Sequence, residues 1–179
     1  MHRAAGFTLL ELLGTLALAG VLLGVAVPSF RSFVLDSRRT ADVNAFVLAV
    51  QVARSEAAKR SHTVILCKTL DQRHCGGTEL RFDAGWMVFV NVDDRLPPER
   101  SPAEPMIYAH VPEQEGTVVA NRPFFEFRPL LRRSTNGTVV FCDRRGSAAA
   151  RAVIVSYTGR PRVDQVDADG KPLVCANLS

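Results

Sequence analysis

Nineteen consecutive residues without a charge, Leu12 to Phe30, constrain this chain more than any other feature. A helix needs about 20 apolar residues to cross a bilayer, so the stretch is long enough to span one. Its surroundings matter as much as its length. A short, weakly basic leader (His2, Arg3) ends at the small residue Gly6, and the apolar stretch follows that residue. In a secretory signal peptide the order is reversed, and the apolar region is discarded with the leader. A lone carboxylate, Glu11, stands at the head of the stretch. In hydrocarbon it costs about 2.5–3.5 kcal/mol unless it is partnered. Gly14, Gly20 and Gly24 are tolerated in membrane helices, where small residues let neighbouring helices approach closely.

Gly6-Phe7-Thr8-Leu9, then Glu11, with Pro28 near the end of the apolar run, resembles the class III leader and N-terminal helix of type IV pilins and type II secretion pseudopilins. The resemblance implies that a prepilin peptidase cuts after Gly6 and N-methylates Phe7. It also implies a role for Glu11 in assembly. No partner for Glu11 is evident within its own helix, and the terminal ammonium of a neighbouring subunit would supply one. With the basic leader in the cytoplasm, the positive-inside bias puts the rest of the chain outside. The expected location is the bacterial inner membrane, with one pass, a periplasmic C-terminal domain and later incorporation into a pilus or pseudopilus. The implied partners are the peptidase, the membrane and other pilin or pseudopilin subunits.

Four segments are expected: a leader over 1–6, a transmembrane and filament-core helix over 7–30, an amphipathic continuation over 31–61, and a β-rich domain over 62–179. Pro28 is expected to kink the helix. Val43, Phe46, Val47, Val50, Ala53 and Ala57 recur at helical spacing, which predicts one buried face. Arg38, Arg39, Asp42, Gln51, Arg54 and Lys59 are expected largely off that face. Strands are expected at 63–67, 85–92, 106–111, 117–120, 124–127, 138–142 and 152–157, separated by Pro, Gly or charged turns. Residues 93–105 are Pro-rich and charged, which predicts a surface loop. The last segment holds about 118 residues, one ordinary domain with room for its own core. The expected class is α+β, a long N-terminal helix packed on mostly antiparallel sheet.

Cys67, Cys75, Cys142 and Cys175 are the only cysteines. Outside the inner membrane they should be oxidised, and three pairings are possible. Cys67–Cys75, closing a short loop, and Cys142–Cys175, tying the C-terminal tail to a strand, are the favoured pairs.

Val64-Ile65-Leu66-Cys67, Cys75, Gly85-Trp86-Met87-Val88-Phe89-Val90, Phe141-Cys142-Asp143 and Ile154-Val155-Ser156-Tyr157-Thr158-Gly159-Arg160 resemble the GspH/FimT family. That resemblance covers almost the whole chain. It implies a pilin-like fold and a structural subunit at or near the tip of a type II secretion pseudopilus or a type IV pilus, not an enzyme. No catalytic constellation and no cofactor are expected. Cys67, His74, Cys75 and His110 do not have the spacing of a structural zinc site. Asn91, Asp93 and Asp94 lack the glycine and later Glu of a calcium loop.

The alternative function is DNA capture for natural transformation. Gly159-Arg160-Pro161-Arg162 matches a GRxR motif that contacts double-stranded DNA in FimT-type minor pilins. Arg160 and Arg162 would share one side of an extended strand. From Arg122 to Arg162 the chain carries nine Arg against Glu126 and Asp143, a net +7. Such a concentration is the usual footprint of phosphate binding. The competing reading is a turn between two C-terminal strands with solvated arginines, and Asp164, Asp167 and Asp169 close behind would weaken the field.

Overall fold

The computed structural model describes residues 8–77, 79–113, 116–129 and 133–175. The chain separates into two compact units, residues 1–37 and 38–179. Helix α1 spans Leu9–Arg60 and contributes to both.

In the first unit α1 is bare. Every large apolar side chain from Leu9 to Phe33 is at least 44% exposed. An 18-residue window of α1 reaches a mean hydropathy of 2.2, long and apolar enough to cross a membrane. The helix runs through Pro28 without a break. Proline has no N–H to give the carbonyl four residues back. Nearby hydroxyls bond within the helix: Ser29 Oγ donates to the Val25 carbonyl (3.1 Å) and Ser32 Oγ to that of Ser29 (2.8 Å).

The second unit holds the core. Among the described residues none before Arg39 is buried. The buried face of α1 comprises Val43, Phe46, Ala49, Val50, Ala53 and Ala57, the expected stripe with Ala49 added and Val47 only half-buried. Among the described residues eight strands form two antiparallel sheets. The first contains β1 (Thr63–Lys68), β2 (Trp86–Asn91), β3 (Met106–His110) and β5 (Phe124–Phe127), in the order β3-β2-β1-β5. The second contains β4 (Gly116–Ala120), β6 (Gly137–Asp143), β7 (Arg151–Val155) and β8 (Pro161–Asp164), in the order β4-β6-β7-β8.

Period-two alternation decides which strand residues meet the helix. Leu66 pairs with Val88 and Val64 with Val90, and all four join Trp86, Phe125 and Phe127 in the main core. From the second sheet Val118, Val139, Phe141, Val153 and Val155 enter the same core. Phe46 sits at its centre, edge-on to Phe82, Trp86, Phe125 and Phe141 at 5.4–6.0 Å. Alternate residues pack on the far side of each sheet: Ile65, Cys67, Met87 and Phe89 on the first, and Cys142, Ala150, Ala152, Ile154 and Leu173 on the second. β2 is therefore buried on both faces. It ends at Asn91, one residue short of the expected 85–92, and Val92 is half exposed.

Two sequence expectations need correction. Arg39 and Asp42 are buried, not on the solvent face of α1. Each finds a polar partner. Arg39 Nη1 donates to the Ala149 carbonyl and lies 3.5 Å from Asp143 Oδ2. Asp42 Oδ1 meets His110 Nε2 at 3.0 Å and accepts the Glu113 N–H at 3.3 Å. Stepping the buried stripe back from Phe46 by three and four residues lands on Val43 and Asp42, and then on Arg39, so the spacing carried the signal and polarity masked it. The last expected strand, 152–157, ends at Val155, and β8 is the second C-terminal strand that a turn at Gly159 implies. Proline opens that strand, a position where its missing N–H is tolerated.

Two segments are pinned by disulfides. Cys67 is bonded to Cys75 and Cys142 to Cys175. The loop expected at 93–105 runs from 92 to 105, but its Glu104 is buried and accepts the N–H groups of Val92 (2.7 Å) and Ser101 (2.9 Å).

Candidate functional site

Of the assembly residues, Gly6 and Phe7 lie outside the described residues. Glu11 lies within them, and its surroundings differ from the expectation that it has no partner in its own helix. Thr8 precedes the first turn and Glu11 stands three residues on. The Thr8 N–H and Oγ1 both donate to Glu11 Oε2 (3.0 and 3.1 Å), and the Glu11 N–H donates to Thr8 Oγ1 (3.3 Å). This is a reciprocal capping box, which satisfies two of the donors left over at a helix start. The Thr-x-x-Glu spacing is itself a sequence signal for such a cap. Both bonds from Thr8 fall on Oε2, so Oε1 is not used by the cap.

The candidate DNA residues sit on the hairpin between β7 and β8. The turn is closed by three hydrogen bonds: Gly159 N–H to the Ser156 carbonyl (2.8 Å), Ser156 N–H to the Arg160 carbonyl (3.0 Å), and Arg160 N–H to Ser156 Oγ (3.2 Å). Gly159 is buried at φ +69°, a left-handed conformation that favours glycine. Arg160 is exposed and carries no carboxylate partner among the described residues. Arg162 differs. Its Nη1 lies 2.8 Å from Asp164 Oδ2. It is paired across the sheet with Ile154, whose side chain packs on the face away from α1. β8 starts at Pro161, so Arg160 belongs to the turn and the strand alternation does not reach it.

Most arginines of this basic run are engaged by partners in the fold, although Glu126 and Asp143 are already counted in its +7 and only Asp164, beside Arg162, adds a further counter-charge. Arg128 makes two bonds to Glu126 (3.0 and 2.9 Å). Arg145 grips Asp143 with Nε and Nη2, the latter at 2.6 Å. Burial would raise the Asp143 pKa. The side-chain and backbone bonds from Arg145, with the charges of Arg145 and Arg39, outweigh it, so the carboxyl lies below its ordinary range. Arg122 and Arg151 donate to the carbonyls of Asn136 and Ala150. Arg133 lies with its guanidinium carbon 5.5 Å from the centre of the Tyr157 ring. Arg132 is outside the described residues.

The remaining candidates have ordinary partners. His74 Nδ1 meets Asp71 Oδ2 at 2.7 Å in the loop closed by the Cys67–Cys75 disulfide. Asp71 also accepts the N–H groups of His74 and Arg73, and these bonds hold its carboxyl well below the usual carboxylate range. His110 faces Asp42, and its ring centre lies 4.7 Å from that of Trp86.

Residues 42–159 match the family described as Type II transport protein GspH. Residues 1–27 match the prokaryotic N-terminal methylation motif. Among solved structures the chain is similar to the type IV minor pilin FimU of Pseudomonas aeruginosa strain PAO1, in two crystal forms. The first has a TM-score of 0.53 at 18% identity and covers 79% of this chain and 100% of that one. The second has a TM-score of 0.51 at 18% identity, with coverage of 82% and 98%. At this identity the likeness is one of fold. No curated protein matches the chain.

Proposed function

Because the chain belongs to the GspH family of type II transport proteins, we propose that it is a minor structural subunit at or near the tip of a type II secretion pseudopilus or a type IV pilus. The observation that carries the reading is the bare N-terminal helix joined to the methylation motif. Side chains this apolar need lipid before assembly and other helices after it. Cleavage after Gly6 would free an ammonium on Phe7. Glu11 Oε2 is occupied by its own Thr8, and Oε1 would meet the ammonium of a neighbouring subunit. The C-terminal domain is periplasmic in this reading, where both disulfides form in an oxidising compartment.

Two measurements test it together. Intact mass of protein taken from membranes of a host with prepilin peptidase should begin at a methylated Phe7. Glu11→Ala should remain membrane-bound yet fail to enter filaments. A mature form starting beyond the apolar run, or normal incorporation of the Glu11 variant, would overturn it.

The second reading, DNA capture, is favoured by one observation. Arg160 stands exposed on the β7–β8 turn with no carboxylate among the described residues to neutralise it. Arg162 supports it less, since Asp164 already holds its guanidinium.

A further inference from the structure

Three arginines far apart in sequence converge on the β7–β8 turn. A Cβ built on Gly159 would lie 3.2 Å from Phe127 Cδ1, 3.3 Å from Arg54 Cδ and 3.3 Å from Ser134 Oγ. The turn therefore presses its backbone onto α1 at Arg54. It is fastened on the other side too, because the Ser134 N–H donates to the Tyr157 carbonyl at 2.9 Å. That bond brings in the neighbouring Arg133, whose guanidinium lies over the Tyr157 ring. Arg160 is the residue next to Gly159. Arg54, Arg133 and Arg160 are all exposed, and none has a carboxylate partner among the described residues. The nearest acids in sequence are already engaged: Glu56 with Arg60 and Lys59, Glu126 with Arg128, and Asp164 with Arg162.

Clustering three like charges without counter-charge destabilises a fold by self-repulsion. An anion of matching spacing relieves it. Planar guanidiniums match phosphate oxygens two at a time. Tyr157, 53% exposed beside them, adds an aromatic face of the kind that accompanies arginine in nucleic-acid grooves. Carboxylates of an acidic protein would use the charges but not the ring.

We propose that Arg54, Arg133 and Arg160 form one phosphate-binding surface for the backbone of DNA, with Tyr157 at its edge and Arg162 outside it. This rests on the DNA reading above and changes its composition. The surface is built from helix α1, the segment before β6 and the turn, not from the two arginines of the Gly-Arg-Pro-Arg motif. Arg162 is excluded by its place in β8, on the sheet face opposite α1, and by its bond to Asp164.

The test uses the full chain in nonionic detergent and a short fluorescent DNA duplex, with binding followed by anisotropy over a salt titration. Removing one phosphate-binding cation should lower the slope of log K against log salt by about 0.9. Arg54→Gln, Arg133→Gln and Arg160→Gln should each show that drop. Arg162→Gln and the exposed control Arg144→Gln should leave the slope at the wild-type value. Trp86 emission checks that each variant keeps its core. Wild-type binding that depends on Arg160 and Arg162 but not on Arg54 or Arg133 would overturn this surface and leave the DNA reading standing. No wild-type binding at moderate salt would overturn both. Displacement of the duplex by poly-L-glutamate at equal charge concentration would assign the surface to acidic protein, and the proposal would fail.

Discussion

Truncating Phe46 to alanine should be among the most damaging single changes in the C-terminal unit. Phe46 is 0% exposed and lies edge-on to four rings, Phe82, Trp86, Phe125 and Phe141. Those rings come from both sheets and from the turn before β2, so the cavity left behind cannot be closed by moving one element. Phe→Ala in a core costs about 3–5 kcal/mol. Each aromatic pair contributes about 0.5–1.5 kcal/mol beyond its buried area, which places this site at about 4–5 kcal/mol. That is a large part of the roughly 5–15 kcal/mol typical of a domain. Residues 38–179 suit the measurement because all buried residues among those described, and both disulfides, lie within them. Urea unfolding can be followed by Trp86, the chain's one tryptophan, and by far-ultraviolet dichroism as a second probe. Leu48→Ala, two residues along the same helix but on its exposed side (46% exposed), should stay within about 0.5 kcal/mol of wild type. A Phe46→Ala destabilisation below about 2 kcal/mol, or a Leu48→Ala effect of similar size, would refute the claim that this face of α1 is the keystone of the core.

Two further outcomes are expected of the same unit. Opening Cys142–Cys175 with the double Ser variant should cost about 3.7 kcal/mol by loop entropy for a separation of 33 residues, against about 2.5 kcal/mol for the separation of 8 in Cys67–Cys75; a larger effect from the short loop would contradict the chain-entropy account. Asp143→Asn should destabilise by about 3 kcal/mol at neutral pH, because it removes the charge of a buried carboxylate that both Arg39 and Arg145 face. The Asp143 carboxyl is depressed in the fold, so its contribution is fully present above the ordinary carboxylate value of about 3.9 and is lost as pH falls through the lower folded value. Chemical denaturation of both proteins across that range should show the gap closing on acidification, and a gap independent of pH would show that the charge is not what matters.

Much of this protein is written in local periods. The apolar stretch, the helical stripe through Phe46 and the alternating strands each repeat every few residues, and one backbone geometry answers each repeat. The two disulfides followed the same logic, since one closes a short loop and the other fastens the tail. Even the Glu11 cap was legible, as Thr-x-x-Glu at a helix start, although the membrane setting pointed to partners elsewhere. What local patterns could not yield was which polar groups meet across the fold. Arg39 and Asp42 read as solvent-facing because nothing near them in sequence announces Asp143, Ala149 or His110. The basic run from Arg122 to Arg162 read as one field. Pairing across strands and turns spends Arg128, Arg145 and Arg162 on nearby acids, while the turn that carries Arg160 packs at Gly159 against Arg54 and holds Tyr157 under Arg133. Charge adds along a sequence, but its field depends on which opposite charge the fold places within a few ångströms, and only the tertiary structure sets those distances.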